Sequence, residues 1–274
     1  MLFENIDLKK VFPKLPRTNT EVTLKSYART AEDGAFLEKR PAVIVLHGGG
    51  YYMKSITEYT PVALRFMSEG YQAFTLDYSL LPAQYPHQLF ELAAAVSYLR
   101  TNSEKYSIDC NRIILCGFSA GAHLASMLAN KWTQTEIFAP LGLSPQSIRP
   151  NRVILSYPPA SCEPEDCRQM FSNLLNGTDD ADSLKEISPV HTVNKNTPPV
   201  FIWQTVEDEM VSVQHSILLA QALEQAKIPF ELHLFPSGPH AMSLCDRECA
   251  FTPAHLNAHA AQWFPLAIKW LENF

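Results

Sequence analysis

Ile113-Ile114-Leu115-Cys116-Gly117-Phe118-Ser119-Ala120-Gly121 decides the fold class of this chain, because it runs from an unbroken apolar stretch through a glycine-flanked serine into a helical pattern. Four apolar residues without alternation fit a strand covered on both faces, as in a parallel sheet. Gly-x-Ser-x-Gly in that context lifts a serine out of the sheet on a tight, strained turn. The glycines permit the turn. The helix beginning at Ala120 leaves its first N–H groups without helical partners, close to where the Ser119 hydroxyl emerges.

Outward from this segment, short β-rich runs alternate with helical patterns. Strands are expected at residues 21–27, 43–46, 74–76, 113–116, 153–155, 200–203 and 231–235, most of them solidly apolar. Residues 61–69, 89–100, 120–129 and 213–226 carry apolar side chains at three- and four-residue spacing, and residues 258–274 do so around a break at Pro265. This alternation predicts an α/β fold, a mostly parallel central sheet with helices on both faces. No repeat or linker divides the chain, so residues 1–274 are expected to form a single domain. Residues 161–195 read as a polar, irregular insertion, the only segment long enough to serve as a lid.

In such a sheet ligands bind beyond the carboxyl ends of the strands. After Val43-Ile44-Val45-Leu46 comes His47-Gly48-Gly49-Gly50-Tyr51, and five of the ten glycines of the chain fall in this turn and the serine turn. That concentration favours close backbone approach to a ligand, and neither of the glycine-rich phosphate-binding patterns is present. The later strands are followed by Glu207-Asp208-Glu209 and by Pro236-Ser237-Gly238-Pro239-His240. Serine, acid, histidine in this order suits nucleophilic catalysis: the imidazole takes the hydroxyl proton, and a carboxylate holds the imidazole tautomer. On spacing alone Glu207, Asp208 and Glu209 all remain open as the acid.

Composition bounds the alternatives. The chain has 274 residues, 46% hydrophobic and 18% charged, enough to bury a full core. Its 22 Lys and Arg against 28 Asp and Glu give a net charge of −6, which argues against nucleic acid as a partner. No apolar stretch approaches the ~20 residues of a membrane span, and Asp7, Lys9 and Lys10 occupy the place of a secretory apolar region, so a cytoplasmic location is expected. Six cysteines are too few for a disulfide-stapled domain. Cys245, Cys249, His255 and His259 are zinc-type ligands, but their spacing is short and Pro253 interrupts it, so packed thiols and surface imidazoles are the expected reading.

These motifs, with Asp77-Tyr78-Ser79-Leu80, Gly117–Leu124, Pro198–Trp203, Glu207–Val211 and Phe235–His240, make the chain resemble a serine esterase of the α/β-hydrolase superfamily. Within it the chain is similar to the compact acetyl-esterase branch related to hormone-sensitive-lipase-like carboxylesterases, some members of which are associated with plant-polysaccharide deacetylation. The resemblance implies Ser119 as nucleophile, His240 as base and Asp208, by its spacing to Val211, as orienting acid. It implies an oxyanion hole from the N–H groups of Gly49, Gly50 and Ala120, and a reaction that needs no metal and no organic cofactor. Ala122 departs from the glycine many relatives carry, with little consequence expected inside a helix. His123 is expected to be structural, and His87, His191, His215 and His233 receive no role. Tyr51 is a candidate for the substrate mouth.

The expected substrate is a small-molecule ester with a short acyl group. Only 46 residues precede His47, and part of them is expected to form an edge strand at 21–27, which leaves too few for a large cap, and the polar 161–195 segment suits a wet mouth. A peptidase or thioesterase of the same fold, or a catalytically silent binding module, are the alternatives.

Overall fold

The structure, a computed structural model, describes residues 1–30 and 39–273. Among the described residues eight strands form one sheet: β1 (Asn5–Asp7), β2 (Thr23–Tyr27), β3 (Arg40–Leu46), β4 (Gln72–Asp77), β5 (Ile108–Phe118), β6 (Arg152–Ser156), β7 (Val200–Thr205) and β8 (Phe230–Phe235). Their order is β1-β2-β4-β3-β5-β6-β7-β8. β2 pairs antiparallel with β1 on one side and with β4 on the other, and the other neighbours are parallel.

The unbroken apolar runs are explained by two cores, one on each face. Ile44, Leu46, Ile113, Leu115, Val153, Leu155, Val200 and Ile202 point into one core, while Val43, Val45, Ile114, Cys116, Ile154, Phe201 and Trp203 point into the other. With a side-chain period of two and both faces covered, residues of either parity face a core, so these runs show no alternation. The helices His87–Thr101, Ala120–Lys131 and Gln214–Gln225 bury Leu92, Leu128 and Leu219 in the first core. Thr60–Ser68 and Trp263–Glu272 bury Phe66 and Trp263 in the second. No helix among the described residues is long and apolar enough to cross a membrane.

Three expectations are corrected. The strand at residues 21–27 is not the sheet edge, because β1 pairs with β2 on its outer side. Pro265 does not break the last helix: it is the third residue of Trp263–Glu272, in the first turn, where an N–H has no helical acceptor to lose. Residues 161–195 are not irregular either. They contain the helices Arg168–Leu174, Ala181–Glu186 and Pro189–Thr192, and Phe171, Leu174, Leu184 and Ile187 anchor them in the first core.

One buried acid sets a pH dependence of stability. Glu91 is fully buried and accepts the N–H and O–H of Ser79, yet burial outweighs these bonds and pushes its carboxyl up to about 7. An acid raised in the folded state contributes stability that is present below its unfolded pKa, near 4.5, and is lost as pH rises through about 7. The loss amounts to about 3 kcal/mol. Glu91→Gln stays neutral and is expected to lack this dependence. Urea denaturation at about pH 5 and pH 8 is therefore expected to show the variant gaining on the parent at the higher pH. A stability difference that does not change with pH would refute the assignment.

Candidate active site

The serine turn joins β5 to the helix Ala120–Lys131, and Ser119 sits on it at φ 50, ψ −120. Positive φ in a residue with a Cβ is strained, and the surroundings impose it here. The Ser119 N–H is held by the Ser156 carbonyl at 3.0 Å. A Cβ on Gly121 would stand 2.3 Å from the Leu46 carbonyl oxygen, so only glycine lets the helix start this close to β3.

His240 lies in the loop after β8 and Asp208 in the loop after β7. The Thr205 hydroxyl donates to the Gly238 carbonyl at 2.8 Å, and the Val206 N–H donates to the Phe235 carbonyl at 2.8 Å, which ties the two loops together. His240 Nε2 is 2.9 Å from Ser119 Oγ, and His240 Nδ1 is 2.7 Å from Asp208 Oδ2. The other carboxylate oxygen, Oδ1, accepts the N–H groups of Met210 at 3.0 Å and Val211 at 2.9 Å. The Asp208 carboxylate accepts only, so Nδ1 carries the proton and Nε2 is left as the acceptor facing the hydroxyl. Glu207 serves elsewhere, its Oε2 accepting the Gly238 N–H at 3.3 Å. Of the three acids the sequence leaves open, Asp208 is the one bonded to His240.

Gly49 and Gly50 line the same cavity as Ser119 and His240. Gly49 adopts φ +115, and a Cβ there would lie 2.1 Å from the Met53 carbonyl oxygen. The turn is closed by the N–H groups of Tyr52 and Met53, both 3.1 Å from the Gly49 carbonyl. Ala120 is the first residue of its helix, so its N–H belongs to the first-turn amides that no helical carbonyl accepts. Below the loop, His47 stacks on Tyr78 with ring centroids 4.4 Å apart and donates from Nδ1 to the Gly48 carbonyl at 2.7 Å. Burial pushes the His47 imidazole down to about 4, so it stays neutral beneath the loop.

Tyr51 does not line the mouth. It is 1% exposed, and its O–H donates to His123 Nδ1 at 2.7 Å. His123 Nε2 in turn donates to the Ile187 carbonyl at 2.7 Å, which makes this histidine the packed, structural residue expected. The mouth position falls to Tyr52, a residue 62% exposed. Ala122 is fully buried in the first core, where its methyl packs within the helix interface.

The cavity at Ser119 measures about 530 Å³, and its walls include Tyr52, Met53, Ile56, Met170, Met210 and Phe251. The 161–195 segment therefore supplies part of one wall, through Asp166, Cys167 and Met170. This lining is more apolar than the wet mouth its composition predicts, because Cys167 and Met170 line the site beside Asp166, while Glu163, Glu165, Asp179 and Asp180 are exposed and take no part in its walls. A second, wider opening of about 980 Å³ shares only His240 and Met210 with the first. Its lining is more polar and includes Glu207, Glu209, Ser237 and Asn257.

The four zinc-type residues have separate partners. Cys249 Sγ lies 3.3 Å from the Thr57 carbonyl, His255 bonds the Thr252 hydroxyl, and His259 packs on Phe235. Burial pushes the Cys245 thiol up, away from the thiolate a metal requires. Among the described residues, the side chains whose donor atoms do gather within 4.8 Å are Asp166, Cys167 and His215. His215 Nδ1 accepts the N–H groups of Ala160 and Ser161, so Nε2 bears the proton and donates to Asp166 at 3.0 Å. Neither ring nitrogen has a lone pair to offer a cation.

Residues 34–223, which include Ser119 and Asp208, match the BD-FAE family, and His240 lies beyond the matched range. The chain belongs to the BD-FAE family. It is 31% identical to an acetyl ester-xyloside bifunctional hydrolase from Caldicellulosiruptor lactoaceticus, with a TM-score of 0.84 over 98% of this chain and 96% of that one. A carboxylesterase from Lactobacillus plantarum is 27% identical, with a TM-score of 0.83 over 100% of this chain and 98% of the other. Over 214 residues, 77% of its length, this chain is 35% identical to endo-1,4-beta-xylanase B of Butyrivibrio fibrisolvens, of whose length it spans 34%. The architecture of this BD-FAE member is thus that of the α/β-hydrolase carboxylesterases.

The residues that sequence reasoning overlooked are those contributed by distant loops: Glu58, Tyr157, Met170, Met210 and Phe251. Only Tyr157 carries a usable signal, since it directly follows the carboxyl end of β6, where ligand-facing residues are expected.

Proposed function

We propose that this protein hydrolyses short-chain carboxylic esters, acetyl groups on sugar hydroxyls foremost, by acyl transfer through Ser119. The observation that carries the reading is the continuous hydrogen-bonded path Ser119–His240–Asp208, opening into the cavity that Gly49 and Gly50 line. Ser119 Oγ attacks the ester carbonyl carbon while its proton passes to His240 Nε2. The carbonyl π pair moves onto oxygen, where the N–H groups of Gly49, Gly50 and Ala120 receive it. Collapse of this intermediate breaks the bond to the alcohol, whose oxygen takes the proton back from Nε2. Water then repeats the sequence on the acyl-serine, releasing the acid and restoring Ser119. The polar opening beside His240 gives a polyhydroxylated alcohol somewhere to lie, and the named activity of the Caldicellulosiruptor relative, on acetyl esters, points the same way.

The acyl preference follows from exposure. Tyr52, Met53, Ile56, Met210 and Phe251 are 51–66% exposed, an open apolar rim rather than an enclosed tunnel. A buried methylene contributes ~0.8 kcal/mol, about fourfold in kcat/KM, but on this rim added carbons stay largely wet. Across p-nitrophenyl esters, kcat/KM is expected to peak between acetate and butyrate and then to fall. A maximum at octanoate or longer would replace the acetyl-esterase reading with a lipase-like one.

A further inference from the structure

Glu58 is a buried carboxylate that no step above uses. It closes the 3₁₀ turn Ile56–Glu58 and is 1% exposed. Its Oε2 accepts the N–H of Gly48 at 2.9 Å, one residue before the proposed oxyanion donors. Its Oε1 accepts the O–H of Tyr157 at 2.6 Å. Tyr157 reaches the other half of the machinery: its ring meets the His240 ring edge-on at 4.8 Å, and its phenolic oxygen accepts the Ser243 N–H at 3.1 Å. The Ser243 hydroxyl donates back to the Thr57 carbonyl at 2.7 Å, beside Glu58. The loop after His240 needs such a clamp, since Ala241, Ser243 and Cys245 all stand at positive φ, a strained state that persists only where the surroundings over-determine it.

We infer that Glu58 is a positioning residue, which through Gly48 on one oxygen and Tyr157 on the other fixes the glycine loop and the His240 loop at one mutual distance. The inference rests on Ser119 and His240 acting as proposed. In the ground state the substrate is held by the cavity walls, whereas both loops matter most when charge develops on the carbonyl oxygen and on His240. Loss of Glu58 therefore falls on kcat and leaves KM nearly unchanged.

The test is a set of variants with kcat and KM measured per folded protein on p-nitrophenyl acetate, folding being followed by circular dichroism. Glu58→Ala is expected to lower kcat ~10²-fold, the scale of a misplaced reacting group or a lost oxyanion donor. Tyr157→Phe keeps the ring on His240 but removes the hydroxyl, with an expected loss of ~10-fold. Glu58→Gln retains an acceptor for Gly48 and is expected to recover most of the activity that Ala loses. Because both residues act as one link, the double variant should be no worse than Glu58→Ala. If Glu58→Ala does not fold, Tyr157→Phe and Glu58→Gln carry the comparison. Folded variants with parental kcat, or losses that only track the folded fraction, would overturn the role of Glu58 while leaving Ser119 untouched. A parent protein whose Ser119 is not labelled by a fluorophosphonate would instead overturn the acyl-transfer reading on which the inference rests.

Discussion

Ser119→Ala is expected to lower kcat for p-nitrophenyl acetate by at least ~10⁴-fold while the protein remains folded. The size follows from chemistry: without Oγ no acyl-enzyme forms, and only a water activated in its place could attack. The intact fold follows from the geometry. The hydroxyl meets His240 and opens on the cavity, and alanine tolerates φ 50 no worse than serine does. Thermal unfolding within a few degrees of the parent, beside a collapsed rate, is the expected pair of results. Retained hydrolysis by the purified variant would mean that another group is the nucleophile.

Asp208→Asn is expected to lower kcat by about 10⁴-fold, through the tautomer of His240 rather than through its position. The two N–H groups of Met210 and Val211 require an acceptor at Oδ1, so the asparagine must turn its oxygen toward them. Its NH₂ group then faces His240 Nδ1, which can only accept, and the imidazole proton moves to Nε2. The ring would present a donor to Ser119 where the reaction needs an acceptor. Glu207→Gln and Glu209→Gln leave this arrangement in place and should retain most activity. A larger loss in either of them than in Asp208→Asn would show that the orienting acid has been misassigned.

The legible part of this molecule is the part whose signal is local. The solid apolar runs at 43–46 and 113–116 read as strands covered on both faces, and the residues directly after β3, β5, β7 and β8 are the ones the fold delivers to one place. Ser119, His240 and Asp208, which the structure brings into contact, are legible as candidates because each follows a strand end. The Glu58–Tyr157 bond is not, since it spans 99 residues and neither partner announces the other. Adjacency to a glycine loop does not give side-chain direction: the φ of 67 at Tyr51 turns its ring inward, and Tyr52 takes the mouth. The helices of residues 168–174 and 181–186 escaped notice for lack of length. Two turns show only Phe171 and Leu174, or Leu184, as inward-facing residues, too few to define a period against a polar background. β1 is three residues long and owes its existence to β2, not to its own sequence.

If His240 and Asp208 make the Ser119 hydroxyl a nucleophile, a fluorophosphonate probe will label it, since such a probe phosphonylates only an activated serine. Intact-mass and peptide mass spectrometry of the labelled protein should show one adduct, on the peptide bearing Ser119, formed in parallel with loss of esterase activity and strongly slowed in Asp208→Asn. An enzyme that hydrolyses p-nitrophenyl acetate yet carries no adduct at Ser119, or carries it on another residue, would contradict the account.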